Sequence, residues 1–163
     1  MIKWTPTGDR FRRWVVVVDA GAARHVPPHP GSSSAGVSRR MSAARRRDTA
    51  AELALRRELF ARGLRYRVAF PVPGQRRRTI DVAFTRAKVA IFVDGCFWHG
   101  CPEHGTTPKA NSEWWSVKLT ANRERDRDTD RLLAEQGWAV VRIWEHEPPK
   151  AAAARVLALL ASR

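Results

Sequence analysis

Apolar side chains recur at helical spacing in DTAAELALRRELFARGLRY, residues 48–66, where Leu53, Leu55, Leu59, Phe60 and Leu64 form one stripe. The segment opens on an Asp or Thr suited to capping and closes at Gly63, so it predicts a helix. The period then changes. YRVAFPVP, TIDVAF and KVAIFVDG are short runs rich in β-branched and aromatic residues, with GQRRR reading as a basic turn after the first and TRA separating the other two. The latter pair predicts a hairpin in the centre of a sheet. A long helix follows in NSEWWSVKLTANRERDRDTDRLLAEQG, with Trp115, Leu119 and Leu132 or Leu133 facing inward and Gly137 ending it. WAVVRIWEHE is a further strand, and PPKAAAARVLALLAS a proline-started amphipathic helix. This order, without internal repeats, predicts a small α/β sandwich in which a central sheet is flanked by helices.

The first forty residues do not share this patterning. Residues 26–40, VPPHPGSSSAGVSRR, are rich in Pro, Gly and Ser and read as a disordered segment or linker. The β-like run Val15 to Val18 has no partner nearby, and a lone strand cannot bury itself. The expected organisation is a disordered or non-native extension over residues 1–40, with Met41 close to the functional start. A folded domain over 41–147 and a terminal helix over 148–163 complete it.

Composition narrows the partner. Lys and Arg outnumber Asp and Glu 30 to 16, a net charge of +14, and the excess recurs along the chain. That implies a polyanion, nucleic acid before membrane. An arginine-favouring base composition would explain part of the excess but not the seven Trp beside it. No secretory signal and no apolar run of membrane-spanning length is visible, so a soluble cytosolic protein is expected.

The two cysteines lie in IFVDGCFWHGCPEHG, residues 91–105, close to histidines, which suits metal ligation in a reducing compartment better than a disulfide. Cys96, Cys101 and His104 form C-x4-C-x2-H on a loop leaving a strand, and His146 ends a later strand. Thiolate and imidazole are preferred Zn2+ ligands, and such a set would pin the loop to the sheet in a closed structural site. Free buried thiols are the bland alternative for the cysteines, and spacing alone leaves His99 open as a ligand too.

Asp81 stands among apolar neighbours in a strand, where an unpaired carboxylate is costly and a divalent cation is a common partner. Asp94 ends the adjacent strand. Acids so placed are how many nucleases hold Mg2+ against a phosphate, although Asp94 alone reads better as the opening of a turn before Gly95. Phe97 and Trp98, on a braced loop of a basic protein, suit a wedge between base pairs or packing beneath the loop.

FVDGCFWHGCPEHG, the upstream MSAARRRDTAAELALRREL, the acid of TIDVAF and NRERDRDTDRLLAEQGWAVVRIWEHE together resemble the very short patch repair (Vsr) endonucleases over residues 37–147. The resemblance implies a restriction-endonuclease-like fold of the PD-(D/E)XK type, a central mixed sheet flanked by helices, with a structural zinc site. It implies a monomer in the bacterial cytoplasm, associated with the nucleoid, that nicks DNA 5′ of the thymine in a T:G mismatch and works with MutL-type repair proteins. Mg2+ would be held by Asp81 and the backbone carbonyl of Val93, with Glu52 near its water shell. His99 would be the general base acting through water, with Asp94 and Asp126 completing the catalytic set. Phe97 and Trp98 match intercalating aromatics, Met41 matches a wedge from the opposite side, and Cys96, Cys101, His104 and His146 match the structural Zn2+ ligands. Arginine-rich segments, with Arg45, Arg46, Arg76 and Arg77, would contact phosphates without sequence preference.

The chain departs from the family pattern in three places. Asp94 replaces a catalytic histidine, which leaves it to face Asp126 or to bind metal directly; His104 and His146 stand where cysteines can occur; and PGQRRRTID lengthens the turn before the strand acid. Two other functions compete: a nuclease of the same fold without mismatch preference, and a zinc-stapled DNA-binding module without catalysis.

Overall fold

The computed structural model describes residues 26–31, 36, 39 and 47–163. The Val15–Val18 run, Met41, Arg45 and Arg46 lie outside the described residues. Helix α1 spans Ala50–Ala61 and begins with Thr49 as its N-cap, with the Glu52 side chain reaching back to the residue before the cap. Thr49 Oγ1 accepts from the Glu52 N–H at 3.3 Å, and Glu52 Oε2 accepts from the Asp48 N–H at 3.1 Å. It ends where Gly63, at φ 76°, lets the Gly63 and Leu64 N–H groups fold back onto the carbonyls of Phe60 and Leu59. Leu55 and Leu59 are buried as the stripe predicts, whereas Phe60 is 60% exposed. The inward face runs through positions 52, 55 and 59, which leaves Phe60 at its edge beneath the Arg65 guanidinium, 4.9 Å from the ring.

Strands β1 (Arg67–Val72), β2 (Gln75–Phe84), β3 (Val89–Asp94) and β4 (Ala139–Trp144) form a sheet in that order. The first three pair antiparallel, so TIDVAF and KVAIFVDG are the expected central hairpin. β3 and β4 pair parallel, with a crossover that contains α2 (Cys96–His99) and the long α3 (Ser112–Glu135). Two local expectations are corrected. The arginines of GQRRR, Arg76 and Arg77 among them, belong to β2 rather than to a turn, because Val72 pairs with Gln75 and the chain reverses at Pro73 and Gly74, the latter at φ 81°. The CFWH run, expected as loop, is one helical turn closed by Gly100 at φ 69°.

The sheet buries both faces. One packs Val82, Phe84, Val89, Ile91 and Ile143 against Leu55 and Leu59 of α1 and Ala152, Ala153 and Val156 of α4 (Pro149–Ala161). The other packs Ile80, Ala83, Ala90 and Phe92 with Leu133 of α3 and Trp138. Each fully buried Leu or Ile contributes about 1.5–3 kcal/mol relative to exposure. Ile80 and Val82 go to opposite faces, so the strict two-residue alternation of β2 slips at the residue between them, Asp81. Opposite it on β1, Ala69 adopts φ 47°, a conformation that L-residues other than Asn and Asp rarely take.

Candidate active site and metal-ligand cluster

That irregularity opens the site. The β2–β3 ladder ends at Val82↔Ile91, and beyond it the Val93 N–H donates to Asp81 Oδ2 at 2.8 Å. Burial pushes the Asp81 carboxyl up to about 6, opposed by the Val93 hydrogen bond and the Arg56 charge and reinforced by Glu52 and Asp94. Glu52 is 4% exposed on α1 and pairs with Arg56 at 2.9 Å; Asp94 is 4% exposed at the end of β3. Carboxylates from a helix and two strands thus converge where the hairpin parts, the oxygen-rich setting that hard divalent cations occupy.

His99 faces this cluster from α2. Gly95 starts the turn, and the Trp98 carbonyl is held by buried Asn122 of α3 at 3.1 Å, so the helical turn is tied to α3 where Asp126 projects. His99 Nδ1 lies 2.6 Å from Asp126 Oδ2 and 3.6 Å from Asp94 Oδ1. Burial alone would lower the imidazole, but the bond to Asp126 and the charges of Asp94 and Asp126 outweigh it and the net shift is upward. Asp126 moves the other way: burial is overcome by its hydrogen bond to His99 and by the nearby cations, and it stays below the usual carboxylate range. A carboxylate on Nδ1–H leaves Nε2 as the lone-pair nitrogen of the neutral ring, the arrangement of an oriented base.

Asp94 does more than open a turn. Both its oxygens accept from Arg142 Nη1 of β4, at 2.8 and 2.9 Å. Nothing in the spacing of the chain predicts this arginine; the available signal was a lone cation inside the apolar run WAVVRIW.

On the other side of α2, Cys96, Cys101, His104 and His146 bring their ligand atoms within 4.8 Å of one another. Cys96 Sγ is 3.1 Å and Cys101 Sγ 3.8 Å from His146 Nδ1, and Cys101 Sγ is 3.9 Å from His104 Nδ1. Ligands at 2.0–2.3 Å around a tetrahedral ion are roughly 3.3–3.8 Å apart, so the donor set fits a closed site. His146 also turns Nε2 toward Glu103, 3.6 Å away, the carboxylate contact that metal-binding histidines characteristically make. Burial and the Cys101 sulfur, with Glu145, push the Cys96 thiol up to about 11, so a thiolate there needs a cation. His99 lies outside the cluster. His146 arrives because β4 runs parallel to β3, pairing Asp94 with Trp144, while Glu145 Oε1 accepts from the Cys96 N–H at 2.7 Å.

Phe97 and Trp98 are both half-buried, packed edge-on to each other at 5.1 Å and against Trp115 of α3 at 5.1 and 5.9 Å. Residues 26–31, which read as linker, carry no regular secondary structure and lie beside this cluster. The Pro27 carbonyl accepts from Trp114 Nε1 at 2.8 Å, and the His29 ring stands 4.5 Å from the Trp114 ring. Arg76 and Arg77 are exposed on β2, while Arg78 pairs with Asp128 at 2.7 Å. No described helix is long and apolar enough to cross a membrane.

Known proteins share this arrangement of sequence. Residues 33–104 match the family model of the DNA mismatch endonuclease Vsr. The chain is similar to the type II nicking enzyme V.NaeI of Lentzea aerocolonigenes, 47% identical over 79% of each chain. It is also similar to the type II nicking enzyme V.XorIIP of Xanthomonas oryzae pv. oryzae, 38% identical over 66% of this chain and 77% of that one. The DNA mismatch endonuclease Vsr of Escherichia coli is 36% identical over 66% of this chain and 68% of its own. With these relatives, the chain that carries this carboxylate cluster and its neighbouring histidine belongs to the Vsr family of DNA endonucleases.

Proposed function

We propose that this endonuclease nicks one strand of duplex DNA on the 5′ side of the thymine in a T:G mismatch, the product of 5-methylcytosine deamination, by Mg2+-dependent hydrolysis. The observation that carries the reading is the convergence of Asp81, Glu52 and Asp94 at the parted hairpin, with the His99–Asp126 pair 3.6 Å from Asp94. The mixed sheet, with its antiparallel hairpin and parallel crossover, supports a restriction-endonuclease-like architecture.

Asp81 and the Val93 carbonyl would hold Mg2+, with Glu52 binding its water shell, and the excess of buried negative charge around Asp81 suits a cation. Bound there, Mg2+ supplies neutralisation of the scissile phosphate and of the leaving 3′-oxygen. His99 Nε2 takes a proton from the attacking water, and Asp126 holds the ring in the required tautomer. Cys96, Cys101, His104 and His146 would hold a structural Zn2+ that ties α2, and His99 with it, to the end of β4. Phe97 and Trp98, with Met41 from the opposite side, would wedge into the step weakened by the mismatch, and Arg45, Arg46, Arg76 and Arg77 would contact phosphates. The enzyme would work as a monomer in the bacterial cytoplasm, on nucleoid DNA, alongside MutL-type proteins.

The test is a strand-specific nicking assay with Mg2+ on otherwise identical duplexes carrying T:G, C:G or T:A at one site. Nicking confined to T:G, 5′ of the thymine, is expected. Equal cutting of all three would select the second reading, a nuclease without mismatch preference, which the half-burial of Phe97 and Trp98 against Trp115 favours.

A further inference from the structure

Arg142 is the most heavily engaged cation among the described residues of the site, and no step above uses it. It leaves β4 opposite Phe92, with its guanidinium carbon 4.9 Å from that ring, and reaches two residues along β3 to Asp94. Nη1 donates to both Asp94 oxygens, Nε and Nη2 donate to Asp130 at 3.0 and 2.9 Å, and Nη2 lies 3.7 Å from Asp126 Oδ1. Asp126 and Asp130 are one helical turn apart on α3. One planar group therefore ties the end of β3 to the α3 face that carries the partner of His99.

We propose that Arg142 is a positioning residue of the nicking reaction, whose guanidinium occupies Asp94 and sets its spacing from Asp126 so that Asp126 alone receives the His99 Nδ1 proton. The inference rests on the reading of His99 as the base. The geometry explains why two acids can flank one imidazole in this chain. Without the arginine, Asp94 at 3.6 Å and Asp126 at 2.6 Å compete for the same nitrogen, and a ring shared between them no longer aims Nε2 in one direction. With it, both Asp94 oxygens are occupied and the shorter bond goes to Asp126. A lysine has the charge but not the planar fork that spans Asp94 and Asp130.

The experiment compares Arg142→Ala, Arg142→Lys, His99→Ala and the His99→Ala/Arg142→Ala double variant on a duplex that the unaltered enzyme nicks. Duplex binding and far-UV circular dichroism are followed beside kcat. Misplacement of a reacting group by an ångström costs about 100-fold in rate, so Arg142→Ala should lose kcat on that scale while KM and duplex binding change little. Millimolar guanidinium should restore part of the rate to Arg142→Ala and none to His99→Ala. Arg142→Lys should recover little. The double variant should be no slower than His99→Ala alone, because the arginine acts through that histidine.

Full kcat in Arg142→Ala with His99→Ala inactive would overturn the positioning role and leave His99 as the base. Full kcat in His99→Ala would refute the base itself. Removing the arginine strands Asp94, and where that unfolds the protein, Arg142→Ala with Asp94→Asn removes the stranded charge. That variant should fold and, with the competing carboxylate gone, nick within a few-fold of Asp94→Asn alone; a rate about 100-fold below Asp94→Asn overturns the proposal.

Discussion

Asp81→Asn separates stability from catalysis at a single atom. The Asp81 carboxyl ionises near 3.8 when unconstrained and at about 6 in the fold, about two pH units higher. At roughly 1.4 kcal/mol per unit, holding the ionised form costs the native state on the order of 3 kcal/mol. Because the native value is raised, the folded chain binds more protons than the unfolded chain between these limits. The penalty is absent below 3.8, grows as pH rises and is complete above about 6. Asparagine keeps an oxygen to accept from the Val93 N–H and carries no charge, so the penalty disappears. Its amide also needs an acceptor beside the acids, and imperfect geometry there would cost about 1 kcal/mol. We therefore expect Asp81→Asn to be about 1–3 kcal/mol more stable than the parent at neutral pH, the gain fading by about pH 4, together with loss of nicking. Urea unfolding in magnesium-free buffer at several pH values measures it. Adding Mg2+ should stabilise the parent and not the variant, narrowing the gap. An asparagine variant no more stable at neutral pH, or one whose advantage is the same at every pH, would refute the account of Asp81 as an unpaired buried acid.

Further tests follow from the same geometry. The raised His99 value places loss of the neutral base, as pH falls, above the ordinary histidine value; Asp126→Asn removes the charge and weakens the hydrogen bond that raise it and should move the acid limb of kcat to lower pH while reducing the plateau. Gly105 sits where an added Cβ would come within 2.4 Å of the Cys101 carbonyl oxygen, whose hydrogen bond from the Gly105 N–H closes the turn at 2.8 Å. Gly105→Ala should accordingly lower zinc content, read by atomic absorption, and melt earlier than the parent by several degrees, roughly 1–3 kcal/mol. Trp98→Ala should reduce the preference for T:G over matched duplex more than it reduces total cutting if the ring enters the helix, and an unchanged ratio would assign it to packing against Trp115.

Local signals decided the elements. Glu52 three residues after Thr49, glycines at 63 and 137 and the apolar periods marked helix ends and strands with little dependence on the rest of the chain, because capping and backbone conformation are short-range effects. The chemistry-bearing stretch was equally legible, since Cys96, Cys101 and His104 lie within nine residues and their types alone restrict what they can hold. Resemblance to a family added His99 and Asp126 as candidates, yet not that they touch.

What depended on the tertiary structure is whatever spans distant segments. His146 reaches the cysteines through parallel β3–β4 pairing fifty residues away, and the parting of β2 from β3 that opens the acid cluster depends on where a ladder stops. The sequence leaves Asp94 open as a turn opener, a catalytic acid or a metal ligand and does not disclose its ion pair with Arg142, because that partner lies 48 residues downstream. In sequence Arg142 is one cation in an apolar strand; in the fold it is the shared donor of acids from a strand and a helix. Chain-local patterning marks which segments fold and which residue types are available for chemistry. Tertiary packing sets which carboxylates face an arginine and which do not, because buried charges take their character from neighbours that only the folded chain brings within reach.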